Sequence, residues 1–150
     1  MKRPGCPLCD GPGGVLVFEG PQFRLIRADE AGFPAFYRLV WAEHLSEFSD
    51  LGPAQRHLCM DAVVQVEQSL RVHLHPTKVN LAALGNVVPH LHWHIIARFD
   101  WDSHFPGPVW APAQREAAPD RIAWVERLRT GLEEDLASRL AKGSGNLTTP

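Results

Sequence analysis

The sequence predicts an α+β domain: an antiparallel sheet of about five strands, one long helix inserted among them, and a second helix at the C-terminus. Short apolar runs of strand length follow one another through residues 15–40 and again through 78–99, with turn residues between them. Between the two groups apolar residues recur every four positions, the period of a helical face. A second stretch of helical period closes the chain. Strands that mostly neighbour each other in sequence argue for antiparallel pairing.

Taken in order, VLVF (15–18) follows the turn GPGG and FRLIR (23–27) follows GPQ, so the two read as a hairpin. AFYRLV (35–40), after AGFP, supplies a third strand. Leu58, Ala62, Val66 and Leu70 mark one face of a helix with Asp50 as its N-cap and Pro53 in its first turn. This helix ends by His75, because Pro76 disfavours helical geometry before it. KVNLAAL (78–84), the turn-like Gly85-Asn86, and VVPHLHWHIIARF (87–99) give two more strands. Residues 100–119 include Pro106, Pro108, Pro112 and Pro119 and read as an ordered loop. Ile122, Val125, Leu128, Leu132, Leu136 and Leu140 then trace an amphipathic helix. Residues 1–142 read as one domain and 143–150 (GSGNLTTP) as a flexible tail.

Composition narrows the function classes. A chain of 150 residues with 45% hydrophobic content can bury one ordinary core without disulfides. Its formal charge of -2 lacks the basicity expected of a DNA- or RNA-polymer partner. No apolar run approaches the ~20 residues of a membrane span, and MKRPGCPLCD has no apolar segment behind its basic residues. The expectation is a soluble, cytoplasmic protein with no membrane partner. Three cysteines, an odd number, argue against a disulfide framework, and Cys59 reads as a small buried hydrophobe in the first long helix.

The most informative stretch is PHLHWHII (89–96), where His90, His92 and His94 alternate with apolar residues. On a strand, residues two apart share a face, so the three imidazoles point one way while Leu91, Trp93 and Ile95 point to a core. The outer pair have Cα atoms about 13–14 Å apart, too far for both rings to reach one ion. The three therefore divide their work: a metal role at one end, a chemical role for the remaining pair.

His90-Leu91-His92-Trp93-His94-Ile95-Ile96 resembles the motif of the histidine triad (HIT) family, His-φ-His-φ-His-φ-φ with φ apolar, at every position. Asn80 and Gly85-Asn86-Val87 stand where members have a phosphate-binding stretch, and RADEAGFPAFYRLVWAEH (27–44) resembles the preceding strand pair. The likeness runs from Cys6 to about Trp110 and leaves the C-terminal helix outside. It implies a HIT-like fold and a nucleotide substrate. By that resemblance His92 is the nucleophile that attacks a nucleoside α-phosphorus, of a phosphoramidate or a dinucleoside polyphosphate, to form a nucleotidyl-histidine. Resolution by water leaves an AMP-like product. The chemistry suits an imidazole with a pKa near 6.5, both nucleophile and leaving group at cellular pH. His94 would contact the phosphate and assist the leaving group, while Asn80, Gly85, Asn86 and Val87 would bind phosphate oxygens. Asp29 fits the family's ribose-binding acid, with Glu30 the near alternative and a turn-capping role the plain one.

Cys6 and Cys9 form C-x-x-C, which by itself is compatible with redox chemistry, a metal, or an incidental turn. No helix is evident behind it, which disfavours redox, and a zinc site needs two further ligands. The resemblance implies them. Some HIT proteins and the related galactose-1-phosphate uridylyltransferases hold zinc at positions that here carry Cys6, Cys9, His44 and His90, a closed structural site. Homodimers are usual in the family. His57, His73 and His75 match no motif position, and His104 is a candidate for the site's edge. Trp101, Phe105 and Trp110 are candidates for a base pocket or for simple packing. The resulting expectation is a nucleotide hydrolase or transferase. The alternatives are a nucleotide-binding regulatory module with little turnover, and a metalloenzyme using His92 and His94, for which no carboxylate partner is evident.

Overall fold

The computed structural model describes residues 2–144 and contains one sheet of five antiparallel strands in the order β1-β2-β3-β5-β4. The strands are β1 (Val15–Glu19), β2 (Phe23–Arg27), β3 (Phe36–Trp41), β4 (Lys78–Ala82) and β5 (His92–Arg98). Helix α1 (Pro7–Asp10) precedes them, α2 (Pro53–Leu74) connects β3 to β4, and α3 (Pro119–Ser144) closes the described chain. The fold class is the one expected. Gly143 and Ser144 of the expected tail continue α3, and residues 145–150 lie outside the described residues.

The start of β5, the cap of α2 and the N-terminal segment differ from expectation, each for a local reason, while α2 ends where expected. The last strand begins at His92 instead of residue 87. Pro89 has no N–H to give a ladder, and the chain arches so that His90 N–H donates to Val88 O (2.8 Å). The cap of α2 is Gly52 instead of Asp50, whose carboxylate accepts the Glu47 N–H (3.1 Å) and closes the preceding 3-10 turn Phe48–Asp50. At the far end His75 adopts the left-handed conformation (φ 44°) and stops the helix. Finally, the C-x-x-C does form a helical turn, though one of only four residues.

Register decides which face each strand residue serves. Leu39 lies opposite Leu25 and Trp93, and Tyr37 opposite Ile95, so these side chains share the face that α2 and α3 cover. The covering stripe of α2 is Leu58, Ala62, Val66 and Leu70, all buried, and α3 adds Val125, Leu132, Leu136 and Leu140. Each Leu or Val removed from water here contributes about 1.5–3 kcal/mol. Ser69 and Arg139 both donate to Asp135 (2.7 Å each), clasping the helices outside that stripe. A charge at fully buried Leu39 would break this layer.

The opposite face carries no long helix. Ile26 and Val40 pack under Cys6, Leu8 and Cys9, and Arg24 donates to the carbonyls of Leu8 (2.7 Å), Gly11 (3.1 Å) and Pro12 (3.0 Å). The N-terminal segment is thereby laid across the sheet beside the histidines. Among the described residues, no helix is long and apolar enough to cross a membrane.

Candidate active site and metal centre

His92 lies opposite Val40, and His94 opposite Arg38 on one side and Ala82 on the other. Alternation therefore aims both imidazoles away from the helices. The His92 Nδ1 is 2.6 Å from the His90 carbonyl oxygen. A carbonyl can only accept, so Nδ1 carries the proton and Nε2 keeps a free lone pair. The His94 ring centroid lies 4.8 Å from that of His92, and its Nδ1 is buried with no partner among the described residues. Burial lowers the pKa of both rings. For His92 the bond to the His90 carbonyl opposes the shift and the Arg38 charge adds to it. His94 is pushed down to about 4, by burial first and then by His92 and Arg38. Both rings are neutral near pH 7.

In front of the rings is a cavity of about 680 Å³. Gly85, Asn86 and Val87, from the β4–β5 connection, form one wall; Leu8 and Gly13 form another. Gly85 holds φ +67°, which an L side chain rarely adopts, and this turns the connection toward the histidines. A second cavity of about 560 Å³ shares His94, Leu84 and Trp110 with the first and includes Asn80. The Asn80 side-chain oxygen accepts from Arg98 (2.8 Å), so its NH₂ is the group left to donate.

Asp29 does not join this cleft. Its carboxylate pairs with Arg27 (2.9 Å), its side chain is 74% exposed, and it lines a separate depression with Glu126 and Arg129. The reason is that β2 ends at Arg27, whose guanidinium draws the carboxylate toward α3 while also binding Glu133 (3.0 Å). Nor does His104 line the cleft: its ring stacks near Phe33 (4.7 Å) and bonds to Ser103 Oγ (2.8 Å). Of the three loop aromatics only Trp110 reaches the cavities; Trp101 stacks on Phe99 (4.5 Å), and Phe105 lies by Arg98.

The loop after β5 is held by a buried ion pair that patterning did not indicate. Arg98 donates to both oxygens of Asp102 (2.8 and 3.1 Å) and to Gly107 O (2.8 Å). Asp102 also accepts the N–H groups of Phe99, His104 and Phe105 (3.1, 3.0 and 2.7 Å). Burial pushes this carboxyl up, but the Arg98 hydrogen bonds and the backbone N–H groups outweigh it, and the net shift is downward. The pair fixes the start of the segment that carries Trp110.

At the other end of the motif, single donor atoms of Cys6, Cys9, His44 and His90 all lie within 4.8 Å of one another. The Sγ atoms of Cys6 and Cys9 are 3.5 and 3.4 Å from His90 Nδ1, and Cys9 Sγ is 3.5 Å from His44 Nδ1. A tetrahedral ion with Zn–S near 2.3 Å and Zn–N near 2.0–2.1 Å spans an S···N edge of about 3.6 Å, so the donors already stand at zinc-site spacing. The His90 Nε2–H donates to Trp41 O (2.7 Å), which fixes the tautomer with Nδ1 toward the sulfurs. Two thiolates and two neutral imidazoles are a donor set suited to structural zinc, and the cluster can hold one ion.

The sequence profile of the HIT domain matches residues 13–101. No curated protein matches the sequence at a significant level. Among solved structures, a histidine triad protein from Bradyrhizobium japonicum is 29% identical, with a TM-score of 0.65 over 81% of this chain and 92% of its own. One from Sinorhizobium meliloti is 26% identical, TM-score 0.65, over 88% and 90%. A zinc-bound histidine triad family protein from Mycobacterium smegmatis shares the fold at 19% identity, TM-score 0.58, over 87% and 94%.

Proposed function

Since this chain belongs to the histidine triad (HIT) family, a superfamily of nucleotide-binding hydrolases and transferases, we propose that it cleaves a nucleotide at the α-phosphate through a covalent intermediate on His92. The observation that carries the reading is the His92 Nδ1–H bond to the His90 carbonyl (2.6 Å), which leaves Nε2 unprotonated at the edge of the 680 Å³ cavity. In the first step Nε2 bonds to phosphorus and the bond to the leaving group breaks, the departing atom taking a proton. In the second, water attacks phosphorus, the imidazole leaves, and a nucleoside monophosphate is released. His94, neutral in the free protein, becomes a better proton donor as phosphate arrives, because a nearby negative charge raises its pKa. The N–H groups of Asn86 and Val87 and the amide of Asn80 stabilise charge on the phosphate oxygens.

Zinc at Cys6, Cys9, His44 and His90 would anchor the N-terminal segment to the catalytic strand, and the zinc-bound mycobacterial relative supports that assignment. A cytoplasmic homodimer belongs to the same reading. Val64 and Val72 on α2 and Leu81 on the edge strand β4 are exposed apolar groups that a second copy would cover.

Purified protein is to be incubated with adenosine phosphoramidate and with a diadenosine polyphosphate, followed by mass spectrometry of the quenched enzyme. A nucleotidyl group on His92 and a loss of turnover in His92→Ala of roughly 10³-fold or more are expected. Wild-type turnover no higher than that of His92→Ala on both substrates rules out the catalytic reading.

A further inference from the structure

Three arginines reach the face of the sheet that bears the histidines: Arg24 on β2, Arg38 on β3 and Arg98 on β5. Two are saturated. Arg24 gives its donors to three backbone carbonyls, and Arg98 gives its own to Asp102, Asn80 and Gly107. Arg38 is different. One terminal nitrogen donates to Glu30 (2.6 Å), while its Nε is buried with no hydrogen-bond partner. A guanidinium keeps five donors in a fixed fork; with Nε sealed off and one terminal bond made to Glu30, the remaining terminal N–H groups of this partly exposed side chain are the donors a ligand can take.

Its place makes the ligand's charge legible. Arg38 stands directly opposite His94, and directly opposed residues have Cβ atoms about 4.5–5.5 Å apart, so a group seated over His94 lies within its reach. It is the one charged side chain among the described residues that line the 680 Å³ cavity; His92 and His94 are neutral there. Glu30 is 44% exposed and outside that lining, so it orients the guanidinium from the rim. The Arg38 head also sits 5.2 Å from the Phe36 ring, which limits where the fork can swing.

We propose that Arg38 is an anion-binding, specificity-determining residue of this cleft, taking a ligand oxyanion next to the phosphate held at His92 and favouring ligands with a second negative charge at that point. This rests on the nucleotide reading above and deepens it. A phosphoanhydride places another phosphate beside the reacting one, whereas a phosphoramidate of an amine places none. The site therefore takes the polyphosphate class in preference to the amine-leaving class.

The zinc-loaded wild type, Arg38→Met, Arg38→Lys and Glu30→Gln are titrated calorimetrically with inorganic pyrophosphate, AMP and adenosine, and each variant's thermal melt is recorded. Arg38→Met should weaken pyrophosphate roughly ten- to hundredfold, the span expected for charge-assisted hydrogen bonds, and weaken AMP and adenosine much less. Arg38→Lys should recover part of the loss. In turnover, the ratio of kcat/KM for diadenosine tetraphosphate to that for adenosine phosphoramidate should fall at least tenfold in Arg38→Met. Pyrophosphate that binds neither wild type nor variant, or both alike, overturns the proposal; so does an equal loss for pyrophosphate and adenosine. Should Arg38→Met melt below the assay temperature, Arg38→Lys and Glu30→Gln decide by the same anion-to-adenosine ratio. Because pyrophosphate binding needs no turnover, an inactive enzyme would sink the catalytic reading and still leave Arg38 decided.

Discussion

His90 and His92 are two residues apart on one segment, yet their imidazoles are committed to opposite degrees. Both nitrogens of His90 are engaged: Nε2 at Trp41 O (2.7 Å), Nδ1 at the two cysteine sulfurs (3.5 and 3.4 Å), with the residue wholly buried. His92 has one nitrogen engaged, at His90 O, and one facing a cavity. The lesson is that the same residue type is locked in place or left with a free nitrogen according to how many of its nitrogens the surrounding backbone and thiols occupy. The carbonyl of the more committed residue is what sets the tautomer of the less committed one.

The sharpest way to break the contrast is to exchange each ring in turn. His92→Asn should abolish turnover, roughly 10³-fold or more, while keeping metal content and melting temperature near wild type. His90→Ala should strip the metal and lower the unfolding free energy by about 2–5 kcal/mol, through the cavity and the orphaned Trp41 carbonyl. Metal analysis beside denaturant melts reads both, and a His92 variant that loses metal would erase the distinction.

Next in size is the frame of the reactive end. Asp102→Ala leaves the Arg98 charge buried without its partner and should cost about 3–5 kcal/mol in urea unfolding. A variant as stable as wild type would show that the ion pair does not hold the loop.

A smaller effect follows from the depressed pKa of His94. In the unfolded chain this histidine takes up a proton near pH 6.5, and in the folded protein only near pH 4. The unfolded state thus binds more protons between those values, and stability contributed at neutral pH falls as pH drops through that window, at most roughly 1.4 kcal/mol per unit of displacement. Urea melts at pH 7, 6 and 5 should show a steeper decline for wild type than for His94→Gln; equal slopes refute it. The smallest effect expected is at Trp110, 69% exposed on the lip shared by both cavities. Trp110→Ala should weaken AMP binding by about 1–3 kcal/mol if a base stacks there, and unchanged affinity would assign the base elsewhere.

Much of the fold was legible because its signals are local. Short apolar runs between turn residues marked all five strands, helical period marked α2 and α3, and Pro53 and Pro76 bracketed α2 closely. The errors arose where local chemistry competed. Pro89 delayed β5, and the Glu47–Asp50 turn took the acid that had been assigned to the helix cap. In the site, the metal set was legible because two cysteines and two histidines are scarce residue types at family positions. Asp29, an abundant type in a turn, fits the ribose role by position alone, and in the structure its carboxylate pairs with Arg27. Arg38 carries no such signal, because an arginine in the middle of an otherwise apolar strand announces nothing about what it faces.

By itself, then, the sequence determined the order and kind of the elements, the shared face of His92 and His94, and the supply of four soft and borderline metal donors. Those properties follow from the geometry of a strand or helix turn and from side-chain chemistry, which need no partner. Only the tertiary structure decided which nitrogen of His92 is free, that Arg38 stands across from His94, and that Arg98 spends its donors on Asp102. The Arg38–His94 pairing depends on the register of strands far apart in sequence, whereas the His92 and Arg98 contacts span only two and four residues and depend on how the chain bends just before and just after β5.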